Sequence, residues 1–133
     1  MIVCLDANVV IYLVERHPTW VPRVTARLGA IHAAGDQIGV SDAARLECLV
    51  GPLRLGDAAQ LADYAAFFSS TGVHMLPVTV PVWERAARIR ATHGFRALDS
   101  LHLATAVEHG CGRFLTNDTR LAGFPDIVVE VLT

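Results

Sequence analysis

The sequence has no lysine: all 11 of its basic residues are arginine. It also lacks any apolar run near the roughly 20 residues that a helix needs to cross a bilayer. The early run Val9 to Val14 already contains a tyrosine, Tyr12. Asp6 interrupts the apolar start and no basic segment precedes it, so a secretory signal is not expected. These absences predict a soluble, cytoplasmic protein without membrane contact. Cysteine is scarce as well. Cys4, Cys48 and Cys111 lie among apolar neighbours without C-x-x-C spacing, an odd and scattered set that argues against a disulfide framework or a zinc site. Charged residues make up only 18% of the chain and hydrophobic ones 53%, which excludes a disordered or purely solvating segment. With no repeat, low-complexity tract or linker, residues 1–133 are expected to form one domain around one substantial core.

What is present alternates. Short apolar runs at 1–5, 37–40, 74–77, 113–116 and 127–131 read as buried strands. Between them, helical patterns are expected over 8–15, 19–34, 42–50, 57–69, 82–92 and 99–109, with a short turn after Asp118. Ser41 is placed to cap the third of these helices and Gly51-Pro52 to end it. Strands that alternate with helices need crossover connections, hence an α/β fold with a parallel sheet covered on both faces.

The formal charge is −2, from 13 acids against 11 arginines, which is not the basic footprint expected of a nucleic-acid partner. Setting aside Asp6, Glu47, Asp99 and Asp118 leaves 11 against 9, about +2. The acidity therefore belongs to one set of residues. In a parallel sheet, ligands bind beyond the carboxyl ends of the strands, and Asp6 and Asp118 each follow a strand. Singly, Asp6, Asp99 and Asp118 could each cap a helix or turn. Glu47 is different, because Ala43, Leu46, Glu47 and Val50 form an i, i+3, i+4, i+7 stripe that should face inward. An unpaired buried carboxylate is costly, and convergent carboxylates repel unless a cation neutralises them. Hard oxygen donors without a His or Cys cluster point to Mg²⁺ or Mn²⁺. Such an ion can polarise a phosphoryl oxygen and activate water for in-line attack.

Four segments carry a family resemblance: the start I-V-C-L-D-A-N-V-V-I-Y-L-V-E, the helical S-D-A-A-R-L-E-C-L-V-G, then A-L-D-S-L-H-L-A-T-A-V-E-H-G and F-L-T-N-D-T-R-L. In this order the chain resembles PIN-domain ribonucleases, in particular the VapC toxins of type II toxin–antitoxin pairs, over essentially its whole length. The resemblance implies a three-layer α/β/α sandwich with a central parallel sheet. It implies metal-binding acids at Asp6, Glu47, Asp99 and Asp118, with Asn8 and Thr116 arranging the site. It further implies endoribonuclease activity with Mg²⁺ or Mn²⁺ on RNA, tRNA or rRNA included, a VapB-type antitoxin and a homodimer. The acids alone would equally permit DNA.

Other residues have plainer readings. His102, three residues after Asp99, has no second histidine at ligand spacing and is expected to pack or to support the site. Leu61, Tyr64, Phe67 and Phe68 read as core, with a dimer face as the alternative. Arg85, Arg88 and Arg96 read as a solvated helix face, with RNA phosphates as the alternative, and Trp20 and Trp83 as helix anchors. Two further functions compete. A haloacid-dehalogenase-type phosphatase also places an aspartate after its first strand, but it wants a second aspartate where Asn8 stands, and a lysine. A catalytically silent PIN-like RNA- or protein-binding module would have lost an acid, and none is missing.

Overall fold

Residues 1–133 are all described by the structure, a computed structural model. Five short strands build the sheet: β1 (Ile2–Leu5), β2 (Gln37–Ser41), β3 (Val73–Leu76), β4 (Arg113–Thr116) and β5 (Val128–Val131). The helices are α1 (Ala7–Val14), α2 (Val21–Ala33), α3 (Ala44–Leu55), α4 (Ala58–Phe68), α5 (Val80–His93) and α6 (Ala97–Glu108), with a 3₁₀ turn at Thr119–Leu121. All four strand pairings are parallel, in the order β3-β2-β1-β4-β5. The chain winds from β1 outward to β3, then crosses back to the other side of β1 as β4. That reversal sets the carboxyl ends of β1 and β4 side by side at the topological switch point, the place where such sheets bind ligands.

Alternation along the strands divides the core in two. Val3, Leu5, Val40 and Leu115 pack with α1–α4 on one face. Cys4 and Phe114 pack with α5 and α6 on the other. The result is the expected α/β/α sandwich, and no helix is long and apolar enough to cross a membrane.

Several boundaries differ from the expectations. Gly51-Pro52 does not end α3, which continues to Leu55 and stops at Gly56 with a left-handed φ of 63°. Pro52 is buried in line with Ala44 and Cys48, and this packing offsets the hydrogen bond that proline cannot donate. The buried stripe of α3 is therefore Ala44, Cys48 and Pro52, whereas Leu46 and Val50 are exposed. Ser41 is the last residue of β2 and not a helix cap. Its hydroxyl accepts from the Ala43 amide at 3.2 Å and lies 2.9 Å from the Thr105 hydroxyl. Helices α5 and α6 each begin two residues early, α5 because Pro81 is well suited to a first turn. Asp99 is thus the third residue of α6 and caps nothing. Tyr64 and Phe68 are core, so the helix they share cannot present them as a dimer face. Trp20 stacks on Tyr12 at 5.7 Å and packs on the core. Trp83 stays largely exposed and anchors nothing.

Candidate metal centre

Asp6 follows β1 directly, and its amide still bonds to Leu115 of β4 at 2.8 Å. Its side chain does cap α1, accepting from the Ala7 amide at 2.8 Å. It also accepts from the Thr116 hydroxyl at 2.6 Å, and it is buried. Capping therefore occupies one carboxylate oxygen, and the Thr116 hydroxyl bonds the other. Burial pushes the Asp6 carboxyl above its ordinary range and Asp99 adds to the push, while His102, Thr116 and the Ala7 amide oppose it.

Thr116 ends β4 and joins two of the acids. Its oxygen donates to Asp6 and accepts from the Asp118 amide at 3.0 Å. Asn8, in the first turn of α1, accepts from the Asn117 amide at 3.3 Å, and Asn117 donates to Tyr12 at 2.9 Å. Asn8 thus holds the loop that carries Asp118.

Asp99 is buried, and its Oδ2 accepts from Arg96 Nε at 3.0 Å. Asp118 caps the 3₁₀ turn through the Arg120 amide at 2.9 Å. The Arg120 guanidinium grips the same carboxylate and reaches to 3.7 Å from Asp99 Oδ2. Hydrogen bonding to Arg120 holds the Asp118 carboxyl below its usual range. Arg120 therefore spans two of the acids as an internal counter-cation.

Glu47 approaches from α3, in the opposite helical layer to Asp99. Its Oε1 lies 2.7 Å from Nε2 of the buried His102. The bond to His102 lowers the Glu47 carboxyl. Burial alone would lower the His102 ring, but Glu47, Asp6 and Asp99 together outweigh it and raise the ring above its ordinary value. Glu47, Arg96, Ala97 and Leu98 line an open pocket of about 310 Å³.

The four acids thus come from four segments to one rim of the sheet. They do not close into a finished cage: no group of three His, Cys, Asp or Glu side chains stands at metal-ligating distance. Glu47 is turned to His102, and arginines hold Asp99 and Asp118. Two of the expected acids are buried carboxylates with like charges nearby, and all four offer oxygen. That donor chemistry suits a hard divalent cation. His102 supports the site, one of the two roles expected of it, through its bond to Glu47. Arg120 was missed: it lies within the F-L-T-N-D-T-R-L segment, where only the acid and the threonine before it drew notice. Of the other arginines, Arg85 pairs with Glu108 at 2.6 Å, and Arg85 and Arg88 line a separate groove with Thr92 and His93.

The PIN domain model matches residues 3–127. The chain belongs to the PIN domain family. Among solved structures, this PIN domain is similar to VapBC2 from Rickettsia felis bound to a promoter DNA fragment, with a TM-score of 0.83, 16% identity and 100% of each chain covered. It is similar to DNA-bound VapBC from Salmonella typhimurium, with a TM-score of 0.79, 19% identity and 98% of each chain covered. It also resembles VapC20 from Mycobacterium tuberculosis, described as a sarcin-ricin loop cleaving toxin. That match has a TM-score of 0.70 and 20% identity, and covers 95% of this chain and 98% of the other. At these identities the likeness is one of fold. No curated protein matches significantly in sequence.

Proposed function

We propose that this PIN domain is the toxin of a type II toxin–antitoxin pair and cleaves RNA as a Mg²⁺- or Mn²⁺-dependent endoribonuclease. The observation that carries the reading is the buried pair Asp6 and Asp99, to which Asp118 is linked through Thr116 and Arg120 and Glu47 through His102. The fold it shares with VapBC complexes and with a toxin described as cleaving the sarcin-ricin loop supports the toxin role, a VapB-type antitoxin and an RNA substrate. The homodimer is retained from the family resemblance, without Tyr64 and Phe68 of α4, which are core.

Asp6 and Asp99, the buried pair, would be the principal ligands, with Glu47 and Asp118 completing the set. A divalent cation bound among them would polarise a phosphoryl oxygen and ease deprotonation of an attacking water. The chain's own residues supply the rest. Thr116 keeps Asp6 oriented and opposes the rise that burial imposes on its carboxyl. Glu47, the most exposed carboxylate of the four, is held low by its bond to His102 and stands in an open pocket. Arg96 and Arg120 stand exposed at the mouth, where a phosphate backbone can draw them from the acids.

The test is to incubate the purified protein, freed of antitoxin, with total cellular RNA and Mn²⁺, with and without EDTA. Cleavage is expected only with metal, and Asp6→Asn and Asp99→Asn proteins of unchanged melting temperature are expected to lose it. Equal cleavage by those variants would overturn the site. The arginine pairing of Asp99 and Asp118 favours a second reading, a binding module without cleavage; RNA binding by the wild type with no product under any metal would select it.

A further inference from the structure

His102 is among the largest fully buried side chains of the domain, yet it is polar and lies at the rim that gathers the acids. Its Nε2 is 2.7 Å from Glu47 Oε1, and its Nδ1 has no partner. A buried ring nitrogen left unpaired is a cost that packing alone does not explain. The bond it does make joins the two helical layers. Glu47 stands on α3, which packs against α1 and α4; His102 and Asp99 stand on α6, which packs against α5. Helices α3 and α6 scarcely touch otherwise.

The two partners differ in freedom. One turn along α6, Thr105 is tied to the Leu101 carbonyl at 2.7 Å and to Ser41 at the end of β2 at 2.9 Å. The His102 ring is thereby seated in close-packed surroundings. Glu47 is about a third exposed and has three rotatable bonds. The rigid group orients the mobile one. An ionised Glu47 can only accept, so the ring donates from Nε2 whichever state Nδ1 is in.

We infer that His102 is a positioning residue: donating from Nε2 across the two helical layers, it anchors the Glu47 carboxylate beside the buried pair Asp6 and Asp99, so that the cation site draws on both layers. This rests on the metal-dependent reading of the site. Residues that orient metal ligands from behind typically contribute 10–100-fold to metal affinity.

The test is calorimetric titration of Mn²⁺ into metal-stripped wild type and His102→Gln, His102→Asn, His102→Leu and Glu47→Ala proteins. Each is melted without metal to establish folding. Glutamine places an amide N–H near the position of Nε2, whereas asparagine stops short and leucine has no donor. His102→Gln is expected to bind Mn²⁺ within a few-fold of wild type. His102→Asn and His102→Leu are expected to bind at least about tenfold more weakly. Their KM for RNA at saturating metal should be unchanged. Adding Glu47→Ala to His102→Asn should cost little further affinity, because both changes remove one device. Folded asparagine and leucine variants with wild-type affinity would overturn the inference, as would a glutamine variant no better than asparagine. Should leucine prevent folding, the glutamine–asparagine comparison decides. Absence of Mn²⁺ binding in the wild type overturns the metal-dependent reading instead, and the inference with it.

Discussion

Thr116 shows how much of this site hangs on single hydroxyls. One oxygen donates to Asp6 and accepts from the Asp118 amide, so it couples the acids that follow β1 and β4. Thr116→Val keeps the shape and removes both bonds. Burial already raises Asp6, and losing a donor raises it further. Metal affinity is therefore expected to fall by about tenfold, and the pH at which metal binds half-maximally should rise; Mn²⁺ titrations between pH 5.5 and 8 check both. The places of Asp6 and Asp118 were legible because each follows a short apolar strand, whereas Thr116 was marked only by the family resemblance. Their partners were not legible. Glu47 meets His102 across 55 residues, and no local periodicity reports a bond of that span. Glu47 itself was singled out for a reason only half right. No cap explains it, but its helix turns Ala44, Cys48 and Pro52 inward and leaves Leu46 exposed. A weakly amphipathic helix with leucines on several sides gives no unique inward face from pattern alone.

Elements are joined by polar bonds as well as by apolar faces. Edge strand β5 is tied to α2 and β4 through Glu130, which accepts from Arg27 at 2.5 and 2.8 Å and from Arg113 at 2.8 Å. Hydrogen bonding to Arg27, with help from Arg113, lowers the Glu130 carboxyl below its usual 4.5. A carboxyl lowered by folding adds stability that is fully present above the unfolded value and is lost as pH falls through the folded one. Glu130→Gln is expected to cost about 1 kcal/mol at pH 7, a modest figure because solvent screens the cluster. The difference between mutant and wild type should shrink below pH 4.5. Urea melts at pH 7 and pH 3.5 measure both. Among the helices, α5 shows that proline marks a beginning as readily as an end, since Pro81 sits in its first turn. At α3 the proline rule fails because Pro52 lies in a buried stripe that rewards continuing the helix.

At the scale of the whole molecule, the concentration of acids at one rim has a thermodynamic consequence. Asp6 and Asp99 are buried near one another, and the arginines that pair with Asp99 are side chains at the surface. A divalent cation that binds only the folded state stabilises it by mass action, by about 2.7 kcal/mol at a concentration 100 times its Kd. For a domain of this size the melting temperature is expected to rise by several degrees, about 3–5 °C per kcal/mol. Differential scanning fluorimetry with increasing Mn²⁺ reads the shift, and Asp99→Asn should abolish it. An undiminished shift in that variant would show the ion bound elsewhere. The near-neutral remainder of the charge fits the same picture, because the acidity lies at the site and the surface is left balanced.

The alternation of short apolar strands with helices determined the class of fold, since a parallel sheet is what crossover connections produce. It also determined which acids stand at strand ends, because a strand that stops at an aspartate places it at the rim wherever the sheet lies. Tertiary structure alone decided the rest. It chose the strand order that sets β1 beside β4 and so brings the ends of the two strands together. It turned the small residues of α3 inward, and it brought His102 from one helical layer against Glu47 from the other. These outcomes depend on how faces of different elements meet, and side chains so far apart in sequence share no pattern until packing makes them neighbours.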